Sequence, residues 1–132
     1  MPIDFTADLH LLVWTVALCG VQMIVAVAGA TLQVGLPRLA GNREPLPELT
    51  GWAGRAQRAH RNMLETLVLF AVLVIVAHMA GLNNDSTVLG AQIFFWARLA
   101  YAIVYLIGIP WVRTGLWALS MIGLVIIFLQ LV

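Results

Sequence analysis

The sequence has no lysine, a single cysteine and few charged residues of any kind. Charged side chains make up 10% of the 132 positions and hydrophobic ones 62%, whereas a soluble domain has roughly 25% and 45–50%. This composition excludes an ordinary soluble domain and indicates an integral membrane protein. The lone Cys19 excludes an intrachain disulfide. We interpret it as a packing residue rather than a reactive thiol.

Motifs for several common chemistries are also missing. The sequence has no pair of histidines at i and i+4 with a third ligand, no Gly-rich phosphate loop, and no Ser, His and Asp in obvious reach of one another. We expect no metal site and no nucleic-acid partner. His10 and His78 fall near the predicted outer interface, and we assign them no role.

Four apolar stretches are long enough to cross a membrane. About twenty apolar residues span a hydrocarbon core of about 30 Å, and the candidates are Leu9–Leu36, Arg58–Met79, Thr87–Ile109 and Thr114–Val132. Residues 1–132 thus predict one all-α domain, an integral membrane four-helix bundle with up-down topology. Asp4 and Asp8 stand where a signal peptide would be basic, so we expect the first span to be retained.

The arginines in the connections predict the orientation. Arg38, Arg43 and Arg55 lie between the first and second spans and Arg113 between the third and fourth, while the middle connection has no basic residue. By the positive-inside rule both arginine-bearing connections are cytoplasmic and both termini lie outside. We expect a multi-pass protein and favour a bacterial inner membrane, although the same charge bias would fit the endoplasmic reticulum. Prolines and glycines predict that the first connection is irregular.

The second span begins with polar residues on one helical face. At about 100° per residue they fall within an arc of about 120°, and His60 points the opposite way. The face consists of Arg55, Arg58, Arg61, Asn62 and Glu65.

The third span carries a matching stripe of Arg98, Tyr101 and Tyr105. Antiparallel packing of the two spans puts Glu65 within side-chain reach of Arg98, so we predict a Glu65–Arg98 ion pair. An unpaired arginine at the bilayer centre costs at least about 2.5–3.5 kcal/mol. An isolated pair of this kind can simply fix helix register. The number of converging polar groups instead favours a binding site.

The chemistry of this set limits the ligand. Arg58, Arg61 and Arg113 favour an anion with carboxylates, because each guanidinium can hold one bidentately. Asn62 and Glu65 add an amide and an acceptor for an ammonium or amide group, as a small zwitterionic peptide would offer. Arg113 and Thr114 begin the fourth span, where guanidinium and helix N-terminus favour an anion, including a thiolate.

These residues resemble a known family. The pattern R-x-x-R-A-x-x-N-x-x-E-T, from Arg55 to Thr66, is similar to the signature of the membrane-associated proteins in eicosanoid and glutathione metabolism, the MAPEG family. The stretch RAHRNMLET resembles most the microsomal prostaglandin E synthase branch and its glutathione transferase relatives. Arg98, Tyr101, Tyr105 and Arg113 extend the resemblance.

The resemblance implies a homotrimer in membrane lipid, with glutathione in a cytoplasm-facing crevice between subunits. Arg113 would be the catalytic residue that stabilises the glutathione thiolate, with Thr114 where the family can have a serine hydroxyl. Arg98 would brace the site. The residues implied to hold the peptide are Arg58, Arg61, Asn62, Glu65, Tyr101 and Tyr105. The implied function is a glutathione transferase or peroxidase acting on a lipophilic small molecule, with a role in detoxification.

Two other classes stay open. A non-catalytic lipid-binding or scaffolding member of the same family would keep the fold and lose the peptide site, against which the retained Arg58, Asn62 and Glu65 argue. A small multidrug exporter would be expected to carry a carboxylate in its first span, and residues 11–36 contain none.

Overall fold

The computed structural model describes residues 5–132, and this part of the chain forms five α-helices. They are α1 (Ala7–Val34), α2 (Leu36–Ala40), α3 (Gly51–Met79), α4 (Asp85–Ile107) and α5 (Pro110–Leu129). All except α2 are long and apolar enough to cross a membrane. The predicted all-α bundle with four spans is therefore confirmed. Asp4, on which the expectation of a retained first span partly rests, lies outside the described residues.

Two features of the first connection differ from the prediction. Its beginning is not irregular, because residues 36–40 form α2, whose first turn contains Pro37. Proline suits a first turn because its fixed φ is helical and its missing N–H would have had no intrahelical partner. Helix α3 also starts at Gly51 rather than at Arg58. Its added turns pack on α1, where a Cβ on Gly29 would come within 2.7 Å of the Ala53 side chain.

The end of this connection is fixed by a side-chain amide. Gln33 donates from Nε2 to the Thr50 carbonyl oxygen at 2.8 Å and accepts the Thr50 N–H at 3.0 Å. Arg38 donates to the Pro45 carbonyl at 2.7 Å. These bonds hold the connection against the start of α3, so the C-terminus of α1 and the N-terminus of α3 lie together.

Helices α4 and α5 come into close backbone contact at two glycines. A Cβ on Gly90 would lie 2.6 Å from the Gly123 carbonyl oxygen, and a Cβ on Gly123 equally close to that of Gly90. Gly108 and Ile109 alone separate the two helices. Gly108 has a φ of 96°, the left-handed conformation that glycine adopts at a helix C-terminus without steric cost.

The main apolar core lies around Phe70 and Phe94, beyond Arg98 from the other arginines. Phe70 and Phe94 stack with ring centroids 4.2 Å apart and are both fully buried. Beyond them, the buried Asp8 carboxylate accepts from the Thr87 hydroxyl at 3.2 Å and from the Leu9 N–H at 3.0 Å. The Thr87 bond fastens the N-terminus of α1 to that of α4. We call the opposite end, where α1 and α4 finish and α3 and α5 begin, the arginine end.

Candidate functional site

A cleft opens at the arginine end between α3 and α4. Its volume is about 200 Å³, and its lining consists of Arg58, Arg61, Asn62, Glu65, Tyr101 and Tyr105. The helical period explains the α3 members, since residues three and four apart share a face. The structure thus brings together six of the predicted site residues, and His60 lies apart from them in the wall of another cavity.

Arg98 lies behind the cleft and is 1% exposed. Its Nη2 donates to Asn62 Oδ1 at 2.8 Å, and its guanidinium carbon lies 4.1 Å from the centre of the Tyr101 ring. The predicted Glu65–Arg98 ion pair is wrong for this chain: among the described residues the Arg98 nitrogens bond only Asn62, and Glu65 is exposed. The guanidinium lies over Tyr101, one turn nearer the arginine end on α4, and Asn62 is about one turn nearer that end than Glu65 on α3. Asn62 was also available in the sequence as an acceptor for Arg98, but its opposite charge made Glu65 the expected partner.

Arg98 also keeps unused hydrogen-bonding capacity. Its Nε and Nη1 are buried and have no hydrogen-bond partner among residues 5–132. A buried charged group normally has its donors satisfied, because an unmet one costs free energy comparable to a lost hydrogen bond. The Arg98 guanidinium therefore has fewer acceptors among the described residues than its burial requires.

Tyr105 connects the cleft to α5. Its hydroxyl accepts from Arg58 Nε at 3.3 Å, and the Arg113 guanidinium carbon lies 4.4 Å from its ring centre. Tyr101 meets Tyr105 edge to face, with centroids 5.5 Å apart. Two guanidinium groups from different helices thus converge on one tyrosine, and Arg113 lies beside the cleft.

Thr114 is placed differently from the predicted site. Its hydroxyl donates to the Pro110 carbonyl at 3.1 Å, within its own helix, and the residue is exposed. Such back-bonding is a common alternative for threonine in helices. The structure does not bring Thr114 into the cleft lining.

Arg55, which shares the polar face of α3, has a structural role. Its Nε donates to the Leu106 carbonyl at 3.0 Å, in the last turn of α4. A cation there satisfies a carbonyl without an intrahelical partner and interacts favourably with the helix dipole. Sequence reasoning missed this contact. Gly108 was the signal available in the sequence, because a glycine that ends a helix indicates unpaired carbonyls in the turn before it.

The cleft is electrostatically asymmetric. Arg58 and Arg61 are exposed, Arg113 is half-buried, and Glu65 is the only carboxylate in the lining. Guanidinium groups present planar pairs of donors that match carboxylates, and they remain charged at all physiological pH values. The arrangement can bind an anionic or zwitterionic molecule with more than one carboxylate.

Comparison with known proteins identifies the family. The model of the MAPEG family matches residues 11–132. No curated protein and no solved structure matches the chain. The matched segment contains every residue of the cleft and all of the four long helices except the first four residues of α1. The chain therefore belongs to the MAPEG family.

Proposed function

We propose that this protein is a glutathione-dependent transferase or peroxidase for lipophilic electrophiles. It acts as a homotrimer in a bacterial inner membrane, with the arginine end in the cytoplasm and both termini outside. The convergence of Arg58, Arg61, Asn62, Glu65, Tyr101 and Tyr105 in one cleft carries this proposal. The resemblance of the motif at Arg58–Thr66 to the prostaglandin E synthase and glutathione transferase branch supports this proposal.

The side chains of the cleft suit the functional groups of glutathione. That peptide has two carboxylates, an ammonium group, two amides and a thiol. Arg58 and Arg61 each offer a guanidinium to a carboxylate. Glu65 offers the only carboxylate in the lining to the ammonium group, and Tyr101 and Tyr105 border the peptide from α4. Asn62 is already held by Arg98 through its oxygen, which leaves its amide N–H₂ to donate.

Arg113 is the residue proposed to activate the thiol. Glutathione supplies the sulfur nucleophile, which reacts as the thiolate. The Arg113 guanidinium lies on the face of Tyr105, in the first turn of α5. Positive charge at a helix N-terminus stabilises a thiolate relative to a thiol. The proton that the glutathione thiol loses passes to solvent at the arginine end.

Two observations support assembly of several chains. Glu65 and Arg61 are exposed on a helix that crosses the membrane, where charge facing lipid is costly. The cleft volume of about 200 Å³ is also below the roughly 300–1,000 Å³ of small-molecule sites. A neighbouring subunit would shield these charges and complete the walls.

Thiolate absorbance provides the test. Glutathione added to the detergent-solubilised protein near neutral pH should produce the ultraviolet band of a thiolate, and Arg113→Ala should remove most of it. Arg43→Ala is the matched control, because Arg43 is an exposed arginine of the first connection that donates to the Leu39 carbonyl. A thiolate band that persists in Arg113→Ala contradicts the assigned role.

Calorimetric titration separates the enzyme from a non-catalytic relative. The proposal requires glutathione to bind with a dissociation constant that rises in Arg58→Ala. Binding without any thiolate band or turnover would instead support the scaffolding alternative. Absence of binding by the folded oligomer would refute the glutathione site.

A further inference from the structure

A further cavity lies between α1, α3 and α4. Its volume is about 200 Å³, and Gln22 is the one polar residue among the described residues that line it. The space exists because α3 presents Ala56 and Ala59 and α4 presents Ala102, whose side chains are too short to fill it. We call it the Gln22 cavity.

The side-chain amide of Gln22 has no hydrogen-bond partner among residues 5–132. The residue is 8% exposed, and its Nε2 and Oε1 are both buried. A buried amide is normally paired, because an unmet donor or acceptor costs free energy. Gln33 on the same helix shows the usual case, since both of its amide atoms bond the backbone of Thr50. The Gln22 amide therefore keeps a donor and an acceptor for a molecule in the cavity.

The depth of Gln22 limits the charge of such a molecule. At about 1.5 Å per residue the amide lies about 22 Å from Ala7 and about 18 Å from Val34, near the middle of α1. Helix α1 is long and apolar enough to cross a membrane, so this depth corresponds to hydrocarbon. A charge is costly there without a partner, and none of the described residues in the lining carries one. The occupant is therefore uncharged.

The Gln22 cavity opens between α1 and α4. Val21 and Ile103, which line it on these two helices, are 57% and 54% exposed, whereas Ala56 and Ala59 on α3 are buried. Exposed apolar side chains of membrane-spanning helices face lipid. A molecule dissolved in the hydrocarbon can therefore enter the cavity between Val21 and Ile103.

The cavity is separate from the cleft at the arginine end. Ala59 packs against Tyr101 and Tyr105, and no residue of the cleft lining also lines the cavity. On α4, Ala102 follows Tyr101 by one residue and so projects about 100° away from it. The molecule in the Gln22 cavity is thus not the one that the cleft holds.

We infer that the Gln22 cavity binds a compact, uncharged alcohol or phenol from the hydrocarbon, whose hydroxyl accepts from Nε2 and donates to Oε1 of Gln22. A hydroxyl fits because one oxygen is both donor and acceptor. A ketone or an ether would leave Oε1 without a donor. The size suits a single ring, since an apolar cavity of about 150 Å³ in another protein binds benzene. The inference does not depend on the proposed function.

Fluorine NMR of the detergent-solubilised protein tests the site with two probes, 4-fluorophenol and fluorobenzene, which lacks the hydroxyl. Wild-type protein should broaden the 4-fluorophenol signal saturably. Gln22→Met keeps the length of the side chain and removes the amide. It should weaken 4-fluorophenol binding about tenfold, as expected for the loss of two hydrogen bonds, and change fluorobenzene binding by less than about twofold. Reporting each probe as variant over wild type cancels its partition into detergent.

A second variant tests the cavity without altering the amide. Ala102→Phe should fill the space and abolish binding of both probes. Ala100→Phe is the matched control, because Ala100 is also half-buried on α4 and lies outside the lining. It should leave both probes unaffected.

Three results would overturn the inference. They are 4-fluorophenol broadening that does not saturate in wild-type protein, equal losses for the two probes in Gln22→Met, and binding that persists in Ala102→Phe. Native mass spectrometry supplies a further check. If Gln22→Met changes the oligomeric state, the partner of the amide is a neighbouring subunit and the assigned ligand is wrong.

Discussion

Replacement of Asn62 should destabilise the fold more than replacement of the arginine that it binds. Arg98 is 1% exposed, and Asn62 supplies its only hydrogen bond among the described residues. Asn62→Ala leaves a buried charge with no acceptor and should cost about 2 kcal/mol, since hydrogen bonds to charged groups contribute about 1.5–3 kcal/mol. Among the described residues, the Tyr101 ring then remains as the only stabilising partner of Arg98.

Arg98→Met removes both the buried charge and its need for hydrogen-bond acceptors. The variant loses the Asn62 bond and the contact with Tyr101, which is worth about 2 kcal/mol because the pair is desolvated. It also eliminates two buried nitrogens without partners, Nε and Nη1. Replacing a buried ionic group by a well-packed apolar one is often neutral. We expect a net loss within about 1 kcal/mol.

The double variant tests whether the loss in Asn62→Ala arises from the unsatisfied charge of Arg98. Asn62→Ala combined with Arg98→Met should be about as stable as Arg98→Met alone, because alanine no longer faces an unsatisfied charge. The coupling free energy would then be about 2 kcal/mol. Unfolding titrations in mixed micelles of mild detergent and dodecyl sulfate measure it, with Asn42→Ala in the exposed connection as the control. Additive losses would refute the assigned role of Asn62.

Three further predictions concern packing and the cleft. Gly90→Val should strongly lower the unfolding midpoint in dodecyl sulfate, because a Cβ at this position would lie 2.6 Å from the Gly123 carbonyl oxygen. Gly20→Ala is the control and should leave the midpoint unchanged, because a Cβ at Gly20 would have no atom within 4 Å. Tyr105→Phe removes the hydroxyl that accepts from Arg58, so calorimetry should show glutathione affinity reduced about fivefold. The thiolate band should be retained, because the ring beside Arg113 is unchanged. Arg55→Met should destabilise the end of α4 by about 1 kcal/mol, detected as faster amide hydrogen exchange near Leu106.

The four long helices were predictable because hydropathy over about twenty residues is a strong signal. The polar face of α3 was predictable because five polar residues at helical spacing must lie on one side of the helix. Both arguments depend on averages over several turns. They are insensitive to an error of a few residues at either end of a helix, such as the early start of α3 at Gly51.

The partner of Arg98 was not predictable at the same resolution. Depth along two antiparallel helices is known from sequence only to about one turn, or roughly 5 Å. Asn62 and Glu65 lie within that uncertainty, and opposite charge favoured Glu65. The structure selects Asn62 because the Arg98 guanidinium lies over the Tyr101 ring, a contact that depends on side-chain rotamers. The hydrogen bond of the Thr114 hydroxyl to its own helix likewise depends on a side-chain rotamer, which the sequence does not give.

The position of Arg113 is determined far from the cleft. Only Gly108 and Ile109 connect α4 to α5, so the turn limits how far the two helices can slide. The crossing of Gly90 and Gly123 then fixes their angle, because neither position has room for a side chain. These two constraints lie on either side of Tyr105 and Arg113, whose contact is 4.4 Å. A guanidinium that must meet a thiolate within hydrogen-bond distance requires such a rigid support. The glycines of the distant crossing are therefore part of what positions the proposed catalytic arginine.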